Sequence, residues 1–281
     1  MKTNLNLQHQ ELTEATIVDS GNGSTGCEFG YEIIMVIPYV YYLHVKGVKV
    51  KVITSQGMLP FYYFLPKDSI EERYDNRDYY IPKNLPLKGI HFNTLNKDRW
   101  IMPPYKEYFS QYKVISFEKE YIIINNKYNT EGGPPINYLN LDTLKTLFKL
   151  LTPKYNIVYN RPQSNHIPDD NSQVYDLKDF NLIKEEFPNI IDLNILASQQ
   201  SISYNQLQLV LGSKCSKQIS VQGGTSILAS LTGGTNLVYA AMGGEVTHNS
   251  FEAWYPEFSG AIVKSTSSYK ELISLVNKYF V

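Results

Sequence analysis

Three polar stretches of this chain carry residue types suited to holding an anion. Lys127 closes the run Asn125-Asn126-Lys127, Arg161 stands between Asn160 and Pro162, and Gln222-Gly223-Gly224-Thr225-Ser226 sets two glycines ahead of two hydroxyl residues. The lysine offers a point charge or an ordinary solvated cation. Pro162 holds the backbone of Arg161 extended, which suits the guanidinium to a bidentate phosphate contact or, equally, to a fixed salt bridge. In the glycine stretch, backbone can approach a ligand closely, and a helix opening there presents unpaired N–H groups and the positive end of its dipole. Thr225 and Ser226 either add hydroxyl donors or cap that helix. The stretch has neither the lysine of a Walker loop nor the G-x-G-x-x-G spacing. A fourth stretch, Met242-Gly243-Gly244-Glu245, holds a carboxylate able to accept hydrogen bonds from vicinal hydroxyls or to sit in an ordinary turn.

The first half has its own glycine cluster, Gly21-Asn22-Gly23 and Gly26-Cys27-Glu28-Phe29-Gly30, flanking a second candidate anion or sugar site. Glu28 and Glu32, four residues apart across a loop and a first helical turn, are the candidates for a general base that deprotonates an acceptor hydroxyl. A carboxylate at a helix start also satisfies the dipole. His9, His44, His91, His166 and His248 show no metal-ligand spacing. Asp169, Asp170 and Asp176 share a polar loop without a metal signature and read as solvated. Cys27 has no histidine nearby to mark a thiol nucleophile, and with Cys215 it allows at most one bridge. There is no G-x-S-x-G elbow for hydrolase chemistry.

The elements that must position these groups alternate along the chain. Ala15 to Val18 reads as a strand, Asp19 to Gly30 as a loop, Tyr31 to Lys46 as a helix that Pro38 kinks unless it starts later, and Val48 to Ile53 as a second strand. Pro60 to Pro104 reads as irregular connections with short helices, and Tyr112 to Phe117 as a strand before a crossing at Phe117 to Glu120. Beyond it, strands at Tyr121 to Asn125, Tyr155 to Tyr159, Ile190 to Leu193, Gln218 to Val221, Leu237 to Ala241 and Ala261 to Val263 alternate with helices. Those helices are Leu139 to Leu151 with Asn140 as cap, Leu177 to Phe187 stopped by Pro188, Asn205 to Leu211, Thr225 to Leu231, and Ser268 to Tyr279. Short continuous apolar strands suit a parallel sheet covered on both faces. Its carboxyl ends lie on one edge, outside which ligands bind, so topology alone brings Lys127, Arg161, the glycine turn and Glu245 together.

Composition sets the outer limits. At 281 residues the chain has room for two domains or one large one, and the element order divides it near Glu118, into 1–118 and 119–281. With 43% hydrophobic and 19% charged residues it is an ordinary globular sequence rather than a disordered one. Lys and Arg number 26 against 27 Asp and Glu, so no basic excess marks a nucleic-acid partner, although a local basic pocket for a small phosphorylated ligand fits. Met1 to Gln10 lacks an apolar leader, and Ile33 to Val45 is too short to span a bilayer, so a cytoplasmic protein without a transmembrane segment is expected.

The run Gln218-Ile219-Ser220-Val221-Gln222-Gly223-Gly224-Thr225-Ser226-Ile227-Leu228-Ala229 is similar to the late donor-binding segment of heptosyltransferase-like and fucosyltransferase-like enzymes, and the layout of the chain resembles glycosyltransferases of the GT-B fold. The resemblance implies an α/β protein of two Rossmann-like domains facing each other across a cleft, with a reduced N-terminal acceptor half and a C-terminal donor half. It implies transfer of a sugar from a nucleotide-sugar donor to a hydroxyl of a glycan or small acceptor, without a metal and without a cofactor beyond the donor itself. Lys127, Arg161, Gln222, Gly223, Gly224, Thr225, Ser226 and Glu245 would then line the donor site, and Glu28 or Glu32 would serve as base. Two alternatives stand beside it: a nucleotide-sugar epimerase or other Rossmann-fold sugar enzyme, and a non-catalytic sugar- or nucleotide-binding module.

Overall fold

The computed structural model describes residues 15–281 except 80–81, 83–84, 86–89, 92–93, 96–97, 114, 131–132, 163–172 and 254. His9, His166, Asp169 and Asp170 lie outside the described residues, as does the polar N-terminal run.

The first lobe is built on a three-stranded parallel sheet of β1 (Thr16–Asp19), β2 (Val50–Ser55) and β3 (Ile70–Tyr74), in that order. The last strand corrects the expectation of irregular structure throughout 60–104. Its sequence, Ile-Glu-Glu-Arg-Tyr, buries only Tyr74, as befits a sheet edge half turned to water. Between β1 and β2 the chain forms a short α1 (Phe29–Tyr31), a π-helical stretch (Glu32–Val36) and α2 (Ile37–Val45). Pro38 was expected to kink this helix. The α-helical segment starts later than Tyr31, at Ile37, with Pro38 in its first turn; the π-helical stretch precedes it, the Ile37 amide donating to the Glu32 carbonyl five residues back, so the wider turn absorbs the proline's missing donor. Outside position 114, residues 112–120 form no strand, contrary to expectation, and Glu118 lies in the connection leading to the second sheet.

The second lobe carries a six-stranded parallel sheet. Its strands are β4 (Tyr121–Asn125), β5 (Asn156–Asn160), β6 (Ile191–Asp192), β7 (Lys217–Val221), β8 (Thr235–Tyr239) and β9 (Ile262–Thr266), ordered β6-β5-β4-β7-β8-β9. Counted within the lobe, that is 3-2-1-4-5-6, the doubly wound order whose direction reverses between its first and fourth strands. Both faces are covered. Helices α3 (Leu141–Leu151) and α4 (Asp179–Glu186) share a core with Ile122, Ile124, Tyr159 and Val221 on one side. On the other, α5 (Leu193–Gln200) and α6 (Tyr204–Lys214) cover Ile123 and Val158, and α7 (Gly224–Leu231) lies over Val238 and Val263. The closing helix α8 (Tyr269–Tyr279) returns to the first face.

Asn140 caps α3 as expected, accepting from the Thr143 amide, and of the two serines ahead of α8 it is Ser268 and not Ser267 that caps it, accepting from the Glu271 amide. The sequence reading missed α5, which starts on the heels of the two-residue strand β6 with Asp192 as its cap. The lobes face each other across a cleft, and beneath it one apolar core joins Ile33, Met35 and Val36 of the first lobe to Ile227, Leu228 and Leu231 of α7. Among the described residues no helix is long and apolar enough to cross a membrane.

Candidate functional site

The reversal point of the large sheet lies between β4 and β7, and the two stretches leaving it are Asn126-Lys127 and Gln222-Gly223-Gly224. Gly223 has φ +138°, a backbone conformation that side chains of L-residues rarely adopt, and this twist turns the chain straight from β7 into α7. The Lys127 ammonium lies over the turn: a methyl group placed on Gly223 would come within 3.1 Å of its Nζ. Sequence and structure thus agree in bringing Lys127 to the start of α7, where amides and dipole favour negative charge.

The other proposed donor residues divide. Ser226 is fully buried, and its hydroxyl donates back to the Gly223 carbonyl (2.7 Å), while Thr225 is half-buried at the first turn. Gln222 braces the turn: its amide donates to Glu245 Oε2 (2.9 Å), and its oxygen accepts from Asn137 Nδ2 (3.0 Å). Asn137 Oδ1 in turn accepts from the amides of Ala241 and Met242, tying the loop after β8 to the same brace. Asn137 was not singled out from sequence; a lone asparagine in a loop carries no periodic signal.

Arg161 is directed elsewhere. Its Nε lies 2.7 Å from Asp179 Oδ2, its guanidinium stacks 4.7 Å from the Phe180 ring centroid, and Nη1 donates to the Tyr175 carbonyl. These partners belong to the face opposite α7. Tyr159 shares Asp179, donating to Oδ2 at 2.5 Å, so of the two readings of Arg161 the structure displays the salt bridge. Asp176 is exposed and paired with Lys178, in keeping with the solvated reading.

The first lobe delivers its glutamates to quite different surroundings. Glu28 caps α1, its Oε2 accepting from the Tyr31 amide at 3.0 Å. The start of α1 abuts the start of α7: methyl groups placed on Gly30 and Gly224 would lie 2.9 Å from Ile227 Cδ1 and 2.5 Å from Phe29 Cδ1. Glu28 therefore stands, half-buried, beside the glycine turn. Glu32 lies wholly inside the first lobe. Its Oε2 accepts from Arg77 Nη1 (2.7 Å), and its Oε1 accepts from the hydroxyls of Tyr62 (2.9 Å) and Thr54.

Two tyrosines feel the charges of both Glu28 and Glu245. Burial chiefly, with the charges of Glu245 and Glu28, holds the Tyr255 proton well above its ordinary range. The Tyr31 hydroxyl donates to that of Tyr79 (2.8 Å) and is likewise shifted upward, by burial first, then by Tyr79, Glu28 and Glu245. Burial, reinforced by Glu32, pushes the Cys27 thiol up as well, which suits a core residue and not a nucleophile.

The earlier glycines have packing roles. A methyl group on Gly21 would fall 2.1 Å from the Tyr74 ring, and one on Gly26 would fall 2.0 Å from Ser55 Oγ. That loop is folded onto its own sheet.

The sheet order, the helix layers and the facing lobes define a GT-B-like architecture. In agreement, the chain is similar to the solved structure of the Escherichia coli ADP-heptose lps heptosyltransferase II, with a TM-score of 0.56 and 10% identity over 95% of this chain and 98% of that one. No family model matches the sequence, and no curated protein matches it either.

Proposed function

We propose that the protein is a glycosyltransferase that moves a sugar from a nucleoside-diphosphate donor to a hydroxyl acceptor, with the donor diphosphate at the Gly223–Gly224 turn. The observation that carries this reading is the Lys127 ammonium set over the positive end of α7 at the reversal point of the sheet. As the bond to the leaving diphosphate breaks, negative charge grows there, and a preorganised cation with helix amides stabilises it. Glu28 takes the role of base, since it reaches the same place from the opposite lobe and Glu32 is enclosed by Arg77, Tyr62 and Thr54. Gln222, Asn137 and Glu245 hold the turn in shape. Arg161 supports the fold beneath it.

Calorimetric titration with a panel of nucleoside diphosphates tests the reading. Lys127→Ala should weaken binding by about 10- to 100-fold, the worth of one hydrogen bond to a charged group. Glu28→Gln should leave that binding intact and slow transfer by about 10²- to 10⁴-fold. A chain that binds no nucleoside diphosphate overturns it.

A further inference from the structure

We infer that the buried Arg77–Glu32 pair is a positioning device for Glu28, fixing the peptide that carries this residue against the start of α7; the catalytic side of this inference rests on the role of Glu28 proposed above. Arg77 is 1% exposed and Glu32 fully buried. One nitrogen of Arg77, Nη1, donates both to Glu32 Oε2 and to the Cys27 carbonyl, each at 2.7 Å. That carbonyl belongs to the peptide bond joining Cys27 to Glu28. A two-residue parallel pairing, Gly26 with Arg77 and Cys27 with Asp78, sets Arg77 alongside this peptide. The guanidinium also lies 5.5 Å from the ring centroid of Phe29, the residue on the other side of Glu28.

Glu32 anchors the device. Its second oxygen is held by Tyr62 and by Thr54 of β2, and its backbone opens the π-helical stretch. Stability alone does not call for such a pair, since a buried ion pair is often matched or bettered by apolar residues of similar volume. A methionine in place of Arg77 would fill space but could not grip the Cys27 carbonyl. Burial opposes the charge of Arg77, yet Glu32 foremost, with Glu28, keeps it firmly protonated, so the guanidinium is electrostatically tied to Glu28 as well. Among the described residues, the titratable groups around the device include Cys27, Glu28, Glu32, Tyr62 and Tyr105 from the first lobe, with Tyr31, Tyr255 and Glu245 also facing Glu28.

The test is the double variant Glu32→Gln/Arg77→Met, compared with the parent by carboxyl-carbon NMR titration of Glu28, hydrogen exchange of the Tyr31 amide, nucleoside-diphosphate calorimetry and transfer kinetics. The Glu28 midpoint should move, and protection of the Tyr31 amide should fall about 5-fold as its cap loosens. The kcat should drop about 10- to 100-fold for a misplaced catalytic group, with diphosphate affinity and donor KM unchanged. If the double variant does not fold, Arg77→Lys takes its place, retaining the charge for Glu32 while shortening the reach to Cys27. An unchanged Glu28 midpoint and unchanged Tyr31 protection in a folded variant overturn the inference. The NMR readings decide it even if the parent chain binds no nucleoside diphosphate, an outcome that would remove the transferase reading instead.

Discussion

Replacing Gly224 with alanine should separate a tight junction between the lobes from a merely close one. The added methyl group would stand 2.5 Å from Phe29 Cδ1 and 3.3 Å from the Gly30 amide nitrogen. Carbon atoms settle at about 3.5–4.0 Å, so the ring must retreat by about 1 Å. It has little freedom to do so, being packed edge-on to Phe61 (centroids 5.6 Å apart) and lying 5.5 Å from the Arg77 guanidinium. Overpacking of this kind costs about 1–3 kcal/mol, offset in part by alanine's helix preference over glycine, at most about 1 kcal/mol. A net loss near 1–2 kcal/mol corresponds to a fall of roughly 2–8 °C in melting temperature for a chain of this size. Calorimetric melting should show it, with Gly133→Ala as control, because among the described residues nothing lies within 4 Å of a methyl group there. Removing the ring with Phe29→Ala should make the Gly224 substitution nearly harmless, a coupling of about 1 kcal/mol or more in the double-mutant cycle. Equal melting of Gly224→Ala and Gly133→Ala, or additive behaviour of Gly224→Ala with Phe29→Ala, would refute the close contact.

Two further tests follow from groups buried elsewhere. Arg161→Ala strands Asp179, which is fully buried, and should destabilise the chain by about 3–5 kcal/mol; Arg161→Met/Asp179→Asn should recover most of that and bind nucleoside diphosphates normally, whereas a folded double variant that has lost binding would return Arg161 to the ligand. Burial pushes the Cys215 thiol from its ordinary value near 9 up to about 12, and also raises the hydroxyls of Tyr62, Tyr105, Tyr159 and Tyr255. These groups ionise in the unfolded chain before they do so in the native one, so the stability they contribute is whole below about pH 9 and declines as pH rises through the native values. Native protein at pH 8 should therefore leave both thiols unmodified by a disulfide reagent. At higher pH, tyrosinate absorbance should rise together with loss of structure, and a smooth titration without unfolding would contradict the burial argument.

The second lobe was legible because strands such as Tyr121–Asn125 carry continuous apolar runs, Ile122 to Ile124 there, and a strand buried on both sides leaves a continuous pattern. The approach of Lys127 to Gly223, nearly a hundred residues later, followed from the rule for carboxyl ends of parallel strands. The edge strand Ile70–Tyr74 left no such pattern, since water on one side lets charged residues occupy it. The expected strand at Tyr112 to Phe117 had the composition, yet among the described residues it joins no sheet. Local sequence could not settle Arg161, because its partner Asp179 arrives from a separate helix, nor could it tell Glu28 from Glu32. Their surroundings are set by Arg77, some fifty residues away, in a stretch without periodicity.

The apolar ground that runs from Ile33 and Met35 into Ile227 and Leu231 has a consequence for how the molecule comes apart. Severing the chain near Glu118 would leave each fragment with a large greasy wall and no cover for it. Neither fragment is then a self-sufficient folding unit. Heating should melt the two sheets in one cooperative step, and expressing either fragment alone should yield aggregate unless its counterpart is supplied alongside.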